Sequence, residues 1–145
     1  PRVVEATGIT MMMTPQGADH TAGNLPVLDC SKLSTKEIVE ASLEAQTQYA
    51  ASDALGICIF GRSVTFTRIE FIIESLNDAF GATLAPEFFM ELGRETIELE
   101  REFNRMAGFT EADDELPSFF YNEPLAPTNK VARFHSDEIN KYSAL

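Results

Sequence analysis

The sequence predicts an all-α, multihelical protein, and three observations carry that reading. Apolar residues recur at i, i+3 and i+4 in three separate stretches, the pattern of a helix with one face in a core. Two of those stretches open on Ser/Thr-x-x-Glu and the third on a proline, while glycines follow the second and third. Between them lie Gly- and Pro-punctuated segments with no alternating strand pattern.

The elements follow in order. Residues 1–26 are broken by Gly8, Pro15, Gly17, Gly23 and Pro26, and the Met11-Met12-Met13 run fits neither helical nor strand period. We read a short ordered element there, then a Gly-bounded loop over 17–23. Ser34-Thr-Lys-Glu37 has the form of a capping box, and Ile38, Val39, Ala41, Leu43, Ala45, Tyr49 and Ala50 continue it as a helix to about residue 52. The stretch 53–60 is apolar on both sides of Gly56, so periodicity leaves buried strand and buried turn equally open. Thr67-Arg-Ile-Glu70 is a second capping-box pattern, opening a helix through Ile69, Ile72, Ile73, Leu76 and Phe80 that Gly81 stops.

Pro86 begins the longest helix, which runs to about Ala107. Its predicted core face holds Phe89, Leu92, Gly93, Thr96, Leu99, Phe103 and Met106, with Glu and Arg on the flanks. Thr110 caps a short turn through Asp114, and Pro117, Pro124 and Pro127 predict an extended segment over 117–128 with Phe119, Phe120 and Tyr121 packed. Ser136 is the predicted cap of a last helix over 137–144.

Composition bounds the functional classes. A chain of 145 residues buries roughly 70% of its unfolded surface, so a core forms without disulfides or structural metal. With 44% hydrophobic and 23% charged residues, the chain sits among folded globular proteins rather than disordered ones. Its net charge of −12 and lack of a Lys/Arg cluster exclude nucleic acid and anionic membrane surfaces as natural partners. No apolar run spans a bilayer and no signal-peptide order opens the chain, which reads as cytoplasmic. In that setting Cys30 and Cys58 are thiols or ligands rather than a bridge. The chain begins at Pro1 without Met, as a fragment of a longer protein would.

Two places carry chemistry. In Asp53-x-x-Gly56-x-Cys58 a helix runs into a carboxylate, a glycine lets backbone approach closely, and a thiol follows in apolar surroundings. Such a turn presents both groups to one bulky ligand; the structural alternative is a helix stop with Cys58 as a small buried hydrophobe. Asp19-His20-Thr21 sets a histidine in a Gly-bounded loop, where it can move protons near neutral pH or serve as a surface residue. His135 is read as structural. Nucleophile-elbow, zincin, Walker and dinucleotide motifs are absent, and Cys30, Cys58, His20 and His135 match no compact zinc spacing.

Gly17-Ala-Asp-His-Thr21 followed by Asp53-Ala-Leu-Gly-Ile-Cys58 resembles the aldehyde:ferredoxin oxidoreductase family. The likeness continues, in family order, through residues 93–104, 107–114, Leu116-Pro117 and Glu123-Pro-Leu125. The resemblance implies a C-terminal helical region, residues 1–145, of a larger enzyme whose N-terminal pterin-binding domain is absent here. That enzyme oxidises aldehydes to carboxylic acids at a tungsten or molybdenum bis-pterin and passes electrons through a [4Fe–4S] cluster to ferredoxin. By the same resemblance Asp53 contacts a pterin, Gly56 and Ile57 form the turn around it, Cys58 is one cluster ligand, and His20 moves protons beside the metal. Ile57 stands where the family usually has Leu.

One motif-matched thiolate does not hold a cluster that takes four. The isolated chain is therefore expected to be inactive, without pterin or cluster, and to expose apolar surface around residues 53–60 or cover it by self-association. The competing class is a non-enzymatic helical interaction or scaffold domain in which both motifs are ordinary turns.

Overall fold

The computed structural model describes residues 1–61, 63 and 66–143. Among them helices α1 (Glu5–Met13), α2 (Thr35–Ala54), α3 (Ile69–Phe80), α4 (Phe88–Met106), α5 (Phe119–Asn122) and α6 (Ser136–Ile139) follow in order. Tight 3-10 turns occupy Cys30–Lys32, Ile59–Gly61 and Glu111–Asp114. The described residues hold no strand beyond one antiparallel bridge, Leu125 to Lys130. The all-α expectation therefore holds.

Helix α2 is the axis of the fold. Its capping box forms as the sequence predicts: the Glu37 N–H donates to the Ser34 hydroxyl at 3.3 Å, and the Ser34 N–H donates to the Glu37 carboxylate at 2.8 Å. It touches two cores. One gathers Ile38 and Val39 with Ile9, Met12, Leu116 and Ile139, and the other gathers Ala51 with Ile72, Ile73 and Phe89. Its most extensive packing is against α4. There Gly93 approaches so closely that an added Cβ would sit 2.0 Å from the Thr47 carbonyl oxygen.

The buried face of α2 is more polar than the apolar stripe expected, for it includes Ser42, Gln46, Thr47 and Ser52. Helix geometry and α1 satisfy most of these groups. Thr10 donates to the Ala6 carbonyl at 2.9 Å, its hydroxyl meets that of Ser42 at 2.8 Å, and the Gln46 amide donates to Ser42 at 3.0 Å. This chain of bonds also explains α1, a full helix where the sequence offers only a short ordered element. No side chain caps its start. Burial of Ala6, Ile9, Met12 and Met13 holds it instead, tertiary packing overriding weak local signals.

Three further expectations are corrected. Thr67 does not cap α3, because its hydroxyl donates to the Ser63 carbonyl and the N-cap position falls to Arg68. Gly81 does stop α3, in the left-handed region at φ 62°. Helix α4 begins at Phe88, after Pro86, and buries only Phe89, Gly93 and Ile97; Leu99, Phe103 and Met106 are 71%, 67% and 74% exposed. The last helix is a single turn with His135, not Ser136, at its N-cap. Residue 144 of the predicted longer helix lies outside the described residues.

Ser136 is drawn away by Glu115. That carboxylate accepts from the Ser136 N–H and hydroxyl at 3.0 and 2.9 Å and from the Tyr121 hydroxyl, while the Tyr121 ring stacks on His135 at 4.1 Å between centroids. His135 is structural, as the sequence suggests. The segment 117–128, expected to be extended, contains the turn α5, through which Phe120 and Tyr121 reach the first core. No helix among the described residues is long and apolar enough to cross a membrane.

Candidate functional site

The end of α2 shows why Asp53, Gly56, Ile57 and Cys58 fall as they do. The Ile57 N–H donates to the Ser52 carbonyl at 2.8 Å and the Gly56 N–H to the Asp53 carbonyl at 2.9 Å. Gly56 sits at φ 70°. This pair of bonds around a left-handed residue is the Schellman stop, which satisfies the last carbonyls of a helix and asks for an apolar residue just beyond the glycine. Ile57 is that residue and packs against the second core. Helix termination thus accounts for Gly56 and Ile57.

It does not account for Asp53 or Cys58. Asp53 lies in the last turn of α2, where the helix dipole disfavours negative charge, and no basic residue shares that turn. Partial desolvation, and then the carboxylate of Asp19, raise its pKa above the ordinary carboxylate value. Neither influence helps the fold. Cys58 is a free, exposed thiol, in contrast to the small buried hydrophobe of the structural alternative. Phe60, two residues on, is 91% exposed. On the outer side of Gly56, where a Cβ would project, nothing among the described residues lies within 4 Å. The apolar exposure expected around residues 53–60 is present.

The His20 loop is set against the same helix. Gly23, at φ 109°, lets it press so close that a Cβ would lie 2.7 Å from the Gln46 backbone nitrogen. Inside the loop Asp19 accepts from the Thr21 N–H at 2.7 Å and from its hydroxyl at 2.8 Å. These bonds hold the Asp19 carboxyl below its usual range. His20 itself is exposed. Loop and helix end meet at a crevice of about 10 Å³, room for one water, lined by Thr14, Gln16, Ala22, Gln46, Tyr49 and Asp53 among others. Within it the Gln46 side-chain oxygen is buried and accepts no hydrogen bond among the described residues.

The structure therefore brings Asp53, Gly56, Ile57 and Cys58 into one turn and fixes the loop of Asp19 and His20 alongside α2. Sequence reading missed Gln46 and quoted Asp19 beside His20 without giving it a role. A glutamine at a core-facing position of α2 is the signal that pointed to the first; an aspartate two residues before Thr21, the pattern of the turn it forms, is the signal for the second.

Elsewhere, a wider open cleft of about 490 Å³ lies between Val3, Leu28, Lys130 and Arg133. Its Arg133 is engaged by Glu5. Cys30, at its edge, is buried, and that burial raises its thiol pKa. No group of three or more His, Cys, Asp or Glu side chains among the described residues is arranged to hold a metal ion. In comparisons with known proteins, residues 1–143 match the family model of aldehyde ferredoxin oxidoreductase, domains 2 & 3. No curated protein and no solved structure matches.

Proposed function

Because the chain belongs to the aldehyde ferredoxin oxidoreductase family, we propose that it is the helical portion of a larger enzyme that oxidises aldehydes to carboxylic acids. The observation that carries this reading is the α2 terminus. Its Schellman stop explains the glycine and isoleucine but leaves an unfavourably placed carboxylate and an exposed thiol with no role in the fold.

These residues fit the family's cofactors from one side only. Cys58 offers one thiolate to a [4Fe–4S] cluster that takes four, so three must come from other polypeptide. Asp53 offers acceptor oxygens to pterin N–H groups, and the open side of Gly56 admits a flat ring against the backbone. When bound, a tungsten or molybdenum bis-pterin supplies the oxidation and the cluster carries electrons to ferredoxin.

The chain's own residues position and exchange protons. Converting an aldehyde and water to an acid releases protons together with electrons, and His20, in a loop pinned by Gly23, is the side chain that takes up a proton. Asp19 does not compete for them, since the Thr21 bonds keep it ionised. Free thiols at Cys30 and Cys58 agree with a cytoplasmic protein.

The test uses the polypeptide as its gene encodes it. The reading requires a cysteine trio elsewhere in that frame; a frame without one removes it. Given the trio, Cys58→Ser is expected to lower iron and acid-labile sulfide while the helical circular dichroism stays. His20→Ala is expected to lower turnover with metal and pterin content unchanged. Unaltered iron and sulfide in the first variant, or normal turnover across the pH range in the second, sinks the corresponding role.

A further inference from the structure

The loop that carries His20 is gripped at both ends, and the grip at its entry comes from α4. The buried side of α4, with Gly93 and Ile97, continues at helical spacing through Glu100, Arg101 and Asn104, half-buried residues that meet the chain where α1 ends. The Asn104 amide donates to the Pro15 carbonyl at 2.7 Å, Arg101 donates to the Met13 carbonyl at 3.3 Å, and the Gln16 amide donates to the Glu100 carboxylate at 3.3 Å. Met13 is the last residue of α1, whose final turn holds no basic side chain. Its carbonyl is one of the four that a helix leaves without an internal partner, and it stands at the negative end of the helix dipole. Arg101 supplies from α4 the cation that α1 lacks.

From that entry the loop is braced step by step. The Gly17 N–H donates to the Thr14 carbonyl at 3.1 Å, the Asp19 N–H to the Gly17 carbonyl at 2.8 Å, and the Thr21 N–H to the Asp19 carboxylate at 2.7 Å. These bonds follow one another end to end, so a displacement at residues 13–15 is carried to His20 rather than absorbed on the way. At the exit Gly23 rests on Gln46, and the Thr7 hydroxyl donates to the Asn24 side-chain oxygen at 2.6 Å. His20 thus stands exposed between two fixed ends.

We propose that Arg101 and Asn104 are positioning residues for His20, acting through the entry of its loop and touching no reacting group themselves. The proposal rests on the proton-transfer role given to His20 above. A misplacement of about 1 Å can cost up to about a hundredfold in rate, so loss of one of the two contacts is expected to cost about tenfold.

The test compares Asn104→Ala and Arg101→Met with Glu95→Ala, a control on the exposed side of the same helix. In the 145-residue chain, amide hydrogen exchange over residues 15–21 is expected to quicken in the first two variants and to stay unchanged in the control, with the helical circular dichroism kept in all three. In the gene's full product, Asn104→Ala is expected to lower kcat with KM, iron and pterin content unchanged. In a His20→Ala background the same substitution should cost nothing further, because a residue that acts only through His20 has no effect once His20 is gone. Unchanged exchange over residues 15–21 would overturn the clamp. An equal loss from Asn104→Ala with and without His20 would mean a merely structural role and overturn the positioning. Normal turnover in His20→Ala alone would sink the reading beneath the proposal, while the exchange result still decides whether α4 holds the loop.

Discussion

Gly93→Ala tests the central contact of the fold, because two opposed effects of known size meet there. Alanine inside a helix is favoured over glycine by about 1 kcal/mol. Against this, the new Cβ would stand 2.0 Å from the Thr47 carbonyl oxygen and 2.9 Å from its carbon and Cγ2, where ordinary contact begins at 3.4 Å. The nearest atom is backbone in the middle of α2 and cannot swing aside, so the helices must separate by about 1 Å or more. A gap of that size forfeits a quarter to a half of the dispersion energy along the interface, and overpacking of this kind typically costs about 1–3 kcal/mol or more. The upper part of that range less the propensity gain leaves a net loss of about 2 kcal/mol. For a chain of 145 residues this lowers the melting temperature by about 4–8 °C. Urea and thermal unfolding followed at 222 nm measure it. An unchanged or raised midpoint would show that α4 does not depend on glycine for its seat on α2.

Other outcomes follow from single contacts. Ser34→Ala should cost about 1 kcal/mol by removing a formed capping box, whereas Thr67→Ala should change stability by less than about 0.5 kcal/mol because Thr67 caps nothing; paired denaturation curves compare them. The Tyr121, Ser136 and His135 contacts of Glu115 outweigh its desolvation and lower its folded pKa. Its stabilisation is therefore present above the unfolded value near about pH 4.3 and lost as pH falls through the folded one. Glu115→Gln should cost about 1–3 kcal/mol at neutral pH, with the difference from wild type shrinking in acid. Asp53 has the opposite sign: a carboxyl raised in the folded state opposes folding while ionised, so Asp53→Asn should raise the neutral-pH midpoint and have no effect once both forms are protonated. A thiol reagent should modify Cys58 rapidly in the native chain and Cys30 only on unfolding.

How far the sequence reached depended on whether a signal was local. The Ser34 box and the Gly81 stop are complete within a few residues, and both form. Thr67-Arg-Ile-Glu70 has the same letters as a working box, but the Thr67 hydroxyl finds a carbonyl of the preceding turn and caps nothing. Helix α1 was illegible because what holds it lies far along the chain, Ser42, Ile38 and Val39 on α2 and Leu116 and Ile139 beyond it. The face of α4 was misjudged in the other direction. Periodicity counted Leu99, Phe103 and Met106 as core although only the Phe89, Gly93 and Ile97 side meets a neighbour. An apolar stripe says that a face has a destination, and does not say that the destination is within the chain.

The candidate site follows the same division. Gly56 and Ile57 are required by the way α2 ends, so their presence alone does not separate a ligand site from a helix stop. Asp53 and Cys58 are what the proposed site rests on, because helix termination gives no reason for a carboxylate at the negative end of a helix beside Asp19 or for a thiol in the open. The His20 loop is tied to that position through Gln46, which seats Gly23 about two helical turns before Asp53. One rigid helix thus sets the spacing between the His20 loop, the Asp53 carboxylate and the Cys58 thiol. If that coupling is real, a Gly23→Val substitution that lifts the loop off Gln46 should alter the pH dependence of turnover in the gene's full product while its iron and sulfide content stays that of wild type.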